Sequence, residues 1–358
     1  MILPKLNIIG VMSGTSLDGL DLALTELYCE NNMIKFKLID AKTVGYNNFW
    51  IELLQSAYQT SAREYFNLHH QFGLLIANEI KSFIQNTSIP IHYIASHGHT
   101  IFHQPQLGFT TQIGCGATIA ANTGISTICD FRSVDVAMGG QGAPLVPIGD
   151  RDLFAGYEAC LNIGGIANIS FTKQGKTSAF DICYANMVLN FLCHSLNLTY
   201  DDVGNIAQSG NVNKKLLQQL LSIQTHHQSL GRELFEEQIV PLLNTIPISI
   251  EDKLCTCTEY AAHKIAHILH SENLQSVFIT GGGAYNLFLI NRLTQLYKGK
   301  IHIPEKSIID FKEAIIFAYL GYLRVNQLNN TLQSVTLASD NSIGGCIYFG
   351  NRVSNVNG

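Results

Sequence analysis

The chain has 358 residues, of which 46% are hydrophobic and 14% charged, so it has ample apolar material for a buried core and too little charge for a disordered protein. Its length predicts about two domains. The net charge of −5 provides no basic stripe, which argues against nucleic acid as a partner, and any phosphate-rich ligand must be held by local groups.

In the first half of the chain, strands alternate with helices. Apolar runs at residues 6–11 and 20–27 predict two strands joined by a hairpin turn at Asp18-Gly19. The other elements predicted there are helices at 49–58 and 65–84 and strands at 91–95 and 125–129.

The second half repeats this arrangement. Strands at 159–163 and 166–171 are predicted on either side of Gly164-Gly165, and a strand at 277–280 ends at Gly281-Gly282-Gly283. The remaining predicted elements are helices at 187–196, 212–223, 233–243, 258–270, 285–296 and 312–325 and a last strand at 346–349.

The two halves therefore echo one another as strand, glycine-rich turn, strand and helices. Two copies of one α/β unit facing a shared cleft would explain the echo. Hairpins with glycine turns are common, so the echo alone favours duplication only slightly. No Pro- or Ser-rich linker marks a domain boundary.

Nine cysteines without a regular spacing indicate reduced thiols of a cytoplasmic protein. No apolar run approaches the roughly 20 residues that a membrane-spanning helix needs, so we expect no membrane partner. The apolar N-terminal segment is too short for a secretory signal, which also favours the cytoplasm.

The first glycine-rich turn, within residues 10–21, is suited to a polyphosphate. Gly14 and Gly19 can expose backbone N–H groups, and Ser13, Thr15 and Ser16 add hydroxyl donors. The turn is not a Walker A loop, because it lacks the Gly-Lys-Ser/Thr ending and a strand follows it. The alternative is an ordinary hairpin turn rich in Ser, Thr and Gly.

Two carboxylates flank this turn. Asp18 and Asp21 are candidate Mg²⁺ ligands, directly or through water, because Mg²⁺ prefers one or two carboxylates together with phosphates.

The string G-V-M-S-G-T-S-L-D-G-L-D at 10–21 resembles the opening of the anhydro-N-acetylmuramic acid kinases, and the resemblance covers nearly the whole chain. S-H-G-H-T at 96–100 is similar to that family's S-H-G-Q-T, and residues 130–147 are similar to its long central motif. L-N-I-G-G-I-A-N at 161–168 resembles its second phosphate turn, and G-G-G-A-Y-N at 281–286 resembles its adenosine-binding turn.

The resemblance implies an α/β fold of two ribonuclease H-like domains, as in actin, Hsp70 and sugar kinases, facing an interdomain cleft that holds ATP and the sugar. We place the first domain at 1–132 plus 335–358 and the second at 133–334. The implied partners are ATP with Mg²⁺ and a small sugar, and a homodimer is implied by the resemblance alone.

The implied reaction is unusual for a kinase. Water attacks the anomeric carbon of 1,6-anhydro-N-acetylmuramic acid and opens the anhydro bridge, and the freed O6 takes the γ-phosphate of ATP. The products are N-acetylmuramic acid 6-phosphate and ADP, in cell-wall recycling. The ATP-binding residues implied by the family motifs are Gly14, Thr15, Ser16, Leu17, Asp18, Gly19, Leu20, Asp21, Gly164, Gly165, Asn168, Gly281, Gly282 and Gly283.

Asp181 is the candidate base that deprotonates the water. From spacing alone it is equally plausible as the N-cap of the helix beginning near Asn186, and the family match favours the base. The family follows this Asp with a small residue, Gly-Pro-Gly and Asn, whereas residues 182–185 are here Ile-Cys-Tyr-Ala. Lost glycines would strain the loop if they held positive φ, and Tyr184 would narrow the sugar pocket if it pointed inward.

The substrate-binding residues implied by the motifs are His97, Arg132, Gln141, Gly142 and Glu313. The Arg132 guanidinium can form a fork on the lactyl carboxylate of the sugar, or it can be a structural partner of Asp130 or Asp135. Glu313 either helps to bind the sugar or is a solvated helix residue.

Two other functions remain open from the sequence. A catalytically degenerate relative that binds ATP or sugar without turnover is suggested by the altered segment 182–185. An ATPase of the actin or Hsp70 type is the other, and the short chain and the Gly-Gly-Gln-Gly motif at 139–142 argue against it.

Overall fold

The computed structural model describes residues 3–14, 17–224 and 230–351. The chain forms two compact units: unit 1 comprises Met1–Leu153 and Phe311–Gly358, and unit 2 comprises Phe154–Asp310. The first boundary lies later, and the second earlier, than the predicted 132 and 335. The reason is tertiary packing: Gly149 lies against Ile316 of the last long helix, so residues 133–153 and that helix stay with unit 1.

The first seven strands and the last one belong to unit 1, and the other five belong to unit 2. The strands are β1 (Leu6–Ser13), β2 (Leu20–Glu30), β3 (Met33–Val44), β4 (Tyr93–Ser96), β5 (His99–Gln104), β6 (Phe109–Ile113), β7 (Ser126–Cys129), β8 (Ala159–Ile163), β9 (Ile166–Lys173), β10 (Lys176–Tyr184), β11 (Ser276–Thr280), β12 (Lys300–His302) and β13 (Cys346–Tyr348).

The helices cover the sheets or connect the strands, and a π-helical turn at Phe235–Ile239 joins the short helices Arg232–Leu234 and Val240–Thr245. They are α1 (Asn48–Ser56), α2 (Ala62–Phe83), α3 (Gly116–Thr123), α4 (Ser133–Ala137), α5 (Val146–Leu153), α6 (Asn186–His194), α7 (Asn205–Ser209), α8 (Lys214–Ser222), α9 (Arg232–Leu234), α10 (Val240–Thr245), α11 (Ile250–Ser271), α12 (Leu287–Leu296), α13 (Lys306–Val325) and α14 (Gln333–Thr336).

The main sheet of unit 1 has the strand order β13-β7-β4-β1-β2-β3. β1, β2 and β3 are antiparallel neighbours, and β4 and β7 run parallel to β1. Apolar side chains of β1 and β2 pack against α2, where Phe72 and Ile76 are fully buried. β5 and β6 form a separate two-stranded hairpin.

The sheet of unit 2 has the order β10-β9-β8-β11-β12 with the same strand directions. Without β13, the two sheets thus share the order 3-2-1-4-5 of a ribonuclease H-like unit. The predicted α/β class is confirmed, and the echo between the halves is a repeat of topology. Each helix in the described part of the chain is either too short or too polar to span a lipid bilayer.

Several elements differ from the prediction. The strands β3, β5, β6 and β10 are not among the predicted elements, although β3 shows the alternation of a strand over residues 34–38. α11 begins at Ile250 and not near 258, because the Ser249 side chain caps it by accepting a hydrogen bond from the Asp252 N–H.

Candidate active site

The first turn joins β1 to β2 in unit 1, where Ser13 pairs with Leu20 and Met12 pairs with Asp21. A Cβ at Gly19 would lie 2.4 Å from the Val44 carbonyl oxygen, so the neighbouring strand end requires glycine there. Gly14 and Leu17 belong to the described part of the turn, with Leu17 at φ 60°. The predicted ligands Thr15 and Ser16 lie outside the described residues.

Beneath this turn, three side chains form a buried hydrogen-bond chain. The Tyr46 hydroxyl donates to Ser13 Oγ over 2.7 Å, and Ser13 Oγ lies 2.8 Å from His99 Nδ1. Desolvation lowers the pKa of His99 to about 4, so the ring that shares this hydrogen bond with Ser13 is neutral near pH 7. Ser13, predicted as a phosphate donor, is buried and supports the turn from below instead.

Asp18 and Asp21 differ in their surroundings. Asp18 is exposed at the turn, whereas Asp21 Oδ1 accepts a hydrogen bond of 2.5 Å from Thr43 on β3. The described residues contain no group of three or more Asp, Glu, His or Cys side chains arranged to hold a metal ion. Two carboxylates at a phosphate-type turn still fit Mg²⁺, which keeps waters and takes its other ligands from phosphate.

His97, Arg132 and Gly142, three of the predicted substrate residues, come together in unit 1. His97 Nδ1 donates to the Gly98 carbonyl over 2.9 Å. Its Nε2 accepts from Arg132 Nε at 3.0 Å and Nη2 at 2.9 Å, and Arg132 Nη1 donates to the Gly142 carbonyl over 2.7 Å. Burial, followed by the charge of Arg132, lowers the pKa of His97 well below its usual range, so this ring stays neutral. Both ring nitrogens of His97 are thus used to orient Arg132.

The Arg132 guanidinium donates to His97 and Gly142 and not to either predicted acidic partner, Asp130 or Asp135. Asp130 accepts from Ser133, and the fully buried Asp135 accepts from the Gly142 N–H and the Thr336 hydroxyl, both at 2.7 Å. Desolvation lowers the pKa of Arg132 to about 10 despite the opposing charges of Glu313 and Asp135. The buried carboxylate of Asp135 shapes the loop, and Arg132 remains a partly buried cation.

The loop that Asp135 shapes also carries Gln141. The Gln141 N–H donates to the Thr336 carbonyl over 2.7 Å, while its residue remains exposed. The Gln141 side chain is therefore held on a fixed backbone with its amide open to solvent.

Glu313 lies on α13 where this helix meets β1. A Cβ at Gly10 of β1 would lie 1.8 Å from the Ala314 carbonyl oxygen, so only glycine lets the helix approach so closely. Surrounding protein raises the pKa of Glu313, against the lowering effect of Lys312 and Arg132, although the residue keeps contact with solvent. The carboxyl group of Glu313 therefore lies on an exposed part of α13 and interacts electrostatically with Arg132.

In unit 2, the second turn, Gly164-Gly165, joins β8 to β9. A Cβ at Gly164 would meet nothing nearer than Asn162 Nδ2 at 3.4 Å, and one at Gly165 nothing nearer than 3.7 Å. Neither glycine has a positive φ. The two carbonyls accept from the first amides of α6, at Asn186 and Met187. The described fold therefore leaves room for a side chain at both positions, so its own packing does not require glycine there.

The Gly281-Gly282-Gly283 turn lies beside the second turn, because β8 and β11 are parallel neighbours that end at the same edge. Gly281 has φ 82°, and Cβ atoms at Gly281 and Gly283 would collide with Ile163 at the end of β8. Gly282 is exposed, and its Cβ would meet nothing nearer than 3.6 Å. Gly281 and Gly283 are therefore required by packing against β8, whereas Gly282 leaves its backbone exposed to solvent.

Asp181 lies on β10 in a cross-strand row of polar residues. It pairs with Asn168, which pairs with Asn162, which pairs with Thr280 on β11. The Leu230 N–H donates to Asp181 Oδ2 over 3.0 Å, and Oδ1 accepts no hydrogen bond from the residues that the structure describes. Desolvation raises the pKa of Asp181, opposed by that one hydrogen bond.

The alternative role of Asp181 as a helix cap is wrong. The N-cap of α6 is Ala185, with no side-chain hydrogen bond, and Asp181 lies within a strand. Its carboxylate therefore has no part in ending or starting a helix.

Comparison with known proteins gives the family of this chain. Residues 6–350 match the family model described as anhydro-N-acetylmuramic acid kinase. The chain belongs to the anhydro-N-acetylmuramic acid kinase family.

Individual members of the family match over nearly their full length. The chain is 36% identical to the anhydro-N-acetylmuramic acid kinase of Shewanella denitrificans, with 95% of this chain and 97% of the relative covered. It is 36% identical to that of Photobacterium profundum, with coverage of 95% and 98%, and 35% identical to that of Vibrio parahaemolyticus, with coverage of 96% and 98%. Members of this family are kinases.

The departure from the family motif at 182–185 is absorbed by the core of unit 2. None of these residues has a positive φ, and all four are buried. Tyr184 packs on Phe235 with ring centroids 5.4 Å apart, and its hydroxyl donates to the Gly231 carbonyl over 3.0 Å. The tyrosine therefore points into the core and does not narrow a pocket.

Several polar residues beside the predicted site residues are not indicated by the sequence motifs. Tyr46 lies outside every motif of the sequence, and Asn162 belongs to the string at 161–168 but is not among the predicted ligands. The hydroxyl of Thr280 is buried without a partner among the described residues. The sequence does carry one signal for Asn162 and Thr280. Each is a polar residue at or next to the end of an apolar strand.

Proposed function

We propose that this protein is an ATP-dependent kinase that hydrolytically opens the 1,6-anhydro ring of 1,6-anhydro-N-acetylmuramic acid and phosphorylates O6. The products are N-acetylmuramic acid 6-phosphate and ADP, a step of cell-wall recycling. Family membership over residues 6–350 supports the reaction, and the use of ATP fits a cytoplasmic location.

The observation that carries the proposal is the state of the Asp181 carboxylate. One oxygen is held by the Leu230 N–H, and the other accepts nothing from the described residues. Partial burial raises its pKa, which makes it a stronger base than an exposed Asp. Asp181 Oδ1 takes a proton from the water that attacks the anomeric carbon, and the positioned carboxylate supplies about 10²–10⁴-fold in rate.

The nucleotide is assigned to the glycine turns. Gly164, Gly165 and Gly282 are glycines that the described fold does not itself require, and they expose backbone to a ligand. Phosphate oxygens accept hydrogen bonds from such N–H groups. The neighbouring Gly281 and Gly283 hold the turn against β8.

In unit 1, Asp18 and Asp21 would hold Mg²⁺, directly or through water, beside the first turn. When bound, the cation would neutralise charge on the phosphates. Thr43 orients the Asp21 carboxylate for this task through its 2.5 Å hydrogen bond.

The sugar is assigned to the group formed by Arg132, Gln141, Gly142 and Glu313. Arg132 supplies a cation that suits the lactyl carboxylate, and His97 positions it. Gln141 presents an exposed amide, and Glu313 presents a carboxylate that accepts from sugar hydroxyls.

The decisive experiment is Asp181→Asn, with the exposed Asp202→Asn of the same unit as matched control. We expect turnover to fall by about 10²–10⁴-fold while ADP affinity stays within twofold of wild type. Phosphosugar is measured by mass spectrometry and ADP by a coupled assay. Near-normal turnover in Asp181→Asn would remove Asp181 as the base, and wild-type ADP formation without phosphosugar would contradict the kinase.

A further inference from the structure

The last strand of unit 1 places two cysteines directly opposite one another. β13 pairs antiparallel with β7, and in this register Cys346 is the partner of Cys129. Directly opposed residues of an antiparallel pair have Cα atoms about 4.5–5.5 Å apart and side chains on the same face. Disulfides join Cα atoms about 4.4–6.8 Å apart, so the register satisfies this requirement.

The sulfur of Cys129 is closely packed against neighbouring residues. A Cβ at Gly116, the first residue of α3, would lie 2.5 Å from Cys129 Sγ and 2.8 Å from the ring of Tyr348. The Gly116 N–H donates to that sulfur. Burial raises the pKa of Cys129 to about 12, and the neighbouring Cys346, Asp130 and Cys115 side chains add to this effect. Cys129 is thus a neutral thiol that faces other thiols.

Cys346 differs from its partner in access. It is exposed, whereas Cys129 is half-buried, and both are free thiols. An oxidant therefore reaches Cys346 first, and the product forms beside a second sulfur across the strand pair.

We propose that Cys346 and Cys129 form a dithiol site that hydrogen peroxide converts to an intramolecular disulfide and that a small dithiol reduces again. This modification site is independent of the proposed kinase reaction. It joins the last strand covalently to β7, three residues before Arg132.

The chemistry balances in two steps. The Cys346 thiol loses its proton, its thiolate attacks peroxide, and the O–O bond breaks to give a sulfenic acid and hydroxide, which takes up that proton as water. Cys129 sulfur then displaces the sulfenic hydroxyl, the S–S bond forms, and the Cys129 proton leaves with that hydroxyl as water. Two thiols are oxidised by two electrons, and one peroxide is reduced to two waters.

The test uses the full chain, reduced, desalted and exposed to a stoichiometric amount of hydrogen peroxide. Intact mass should fall by two hydrogen atoms, and non-reducing digestion should give one cross-linked peptide pair that contains Cys129 and Cys346. Dithiothreitol should return the original mass.

Matched variants separate this site from general thiol oxidation. Cys346→Ser, an exposed change that leaves the core intact, should lose the cross-linked pair completely, whereas Cys29→Ser should keep it. Recovery of Cys346 only as sulfenic or higher acids, or its linkage to Cys115 as often as to Cys129, would overturn the proposal.

Discussion

The two glycine turns occupy the same place in two sheets of the same topology, yet they are built differently. The turn of unit 1 rests on the buried chain Tyr46–Ser13–His99, and Gly19 is required by the nearby backbone. The turn of unit 2 has two residues, and the described fold leaves space for side chains at both. A glycine is thus a weak sign of ligand binding where packing explains it, and a stronger one where packing does not.

The largest expected effect tests whether the buried chain supports the first turn. Desolvation lowers the pKa of His99 from 6.5 to about 4. As the pH falls, the unfolded chain binds a proton at His99 before the folded chain does. The stability provided by neutral His99 is therefore complete above pH 6.5 and decreases until about pH 4. The total loss of unfolding free energy is on the order of 3 kcal/mol. His99→Gln should flatten this acid-induced loss.

The chain's single tryptophan, Trp50, lies in unit 1, so urea unfolding followed by its fluorescence measures this unit. His194→Gln, an exposed change in unit 2, should keep the wild-type pH dependence. Equal slopes for wild type and His99→Gln would show that His99 is not buried as a neutral ring.

The second prediction concerns Gly19. Its replacement by Ala brings a Cβ to 2.4 Å from the Val44 carbonyl oxygen, which should lower the free energy of unfolding by about 2 kcal/mol. Gly45→Ala is the control, since its Cβ would meet nothing nearer than 3.8 Å. Trp50 fluorescence in urea measures both, and equal stability of the two variants would refute the packing requirement.

The third prediction is that glycine in the second turn matters for nucleotide binding and not for stability. Gly164→Ala should leave stability within about 0.5 kcal/mol of wild type but weaken ADP binding about tenfold, or about 1.4 kcal/mol. Isothermal calorimetry with ADP and Mg²⁺ measures the affinity. Gly156→Ala, with nothing within 4 Å of its Cβ, should change neither quantity. Unchanged affinity in Gly164→Ala would remove this turn from the nucleotide site.

The smallest effect concerns Tyr184, which ties β10 to the segment after Leu230. Tyr184→Phe removes the hydrogen bond to the Gly231 carbonyl and should destabilise unit 2 by about 1 kcal/mol without changing KM for the sugar. Hydrogen–deuterium exchange of peptides spanning 230–235 should quicken, whereas exposed Tyr200→Phe should leave it unchanged. A raised KM would place Tyr184 in the sugar pocket.

Local motifs and tertiary contacts contribute differently to the candidate site. The glycine turns, Asp181 and the motif residues of unit 1 can all be recognised in the sequence, and the structure groups His97, Arg132 and Gly142 by direct hydrogen bonds. The roles of these residues in binding and catalysis remain predictions. The partners of Arg132 were not foreseen, because His97 is 35 residues away in the chain.

The amino-acid sequence by itself determined the family, the α/β class and both hairpins, since these depend on local strings and on apolar periodicity over a few residues. Tertiary structure decided the unit boundaries, the burial of Tyr184 and the support of Ser13 by Tyr46 and His99. The physical reason is that burial and long-range hydrogen bonds depend on which segments pack together, and residues 13, 46 and 99 carry no local signal of that packing.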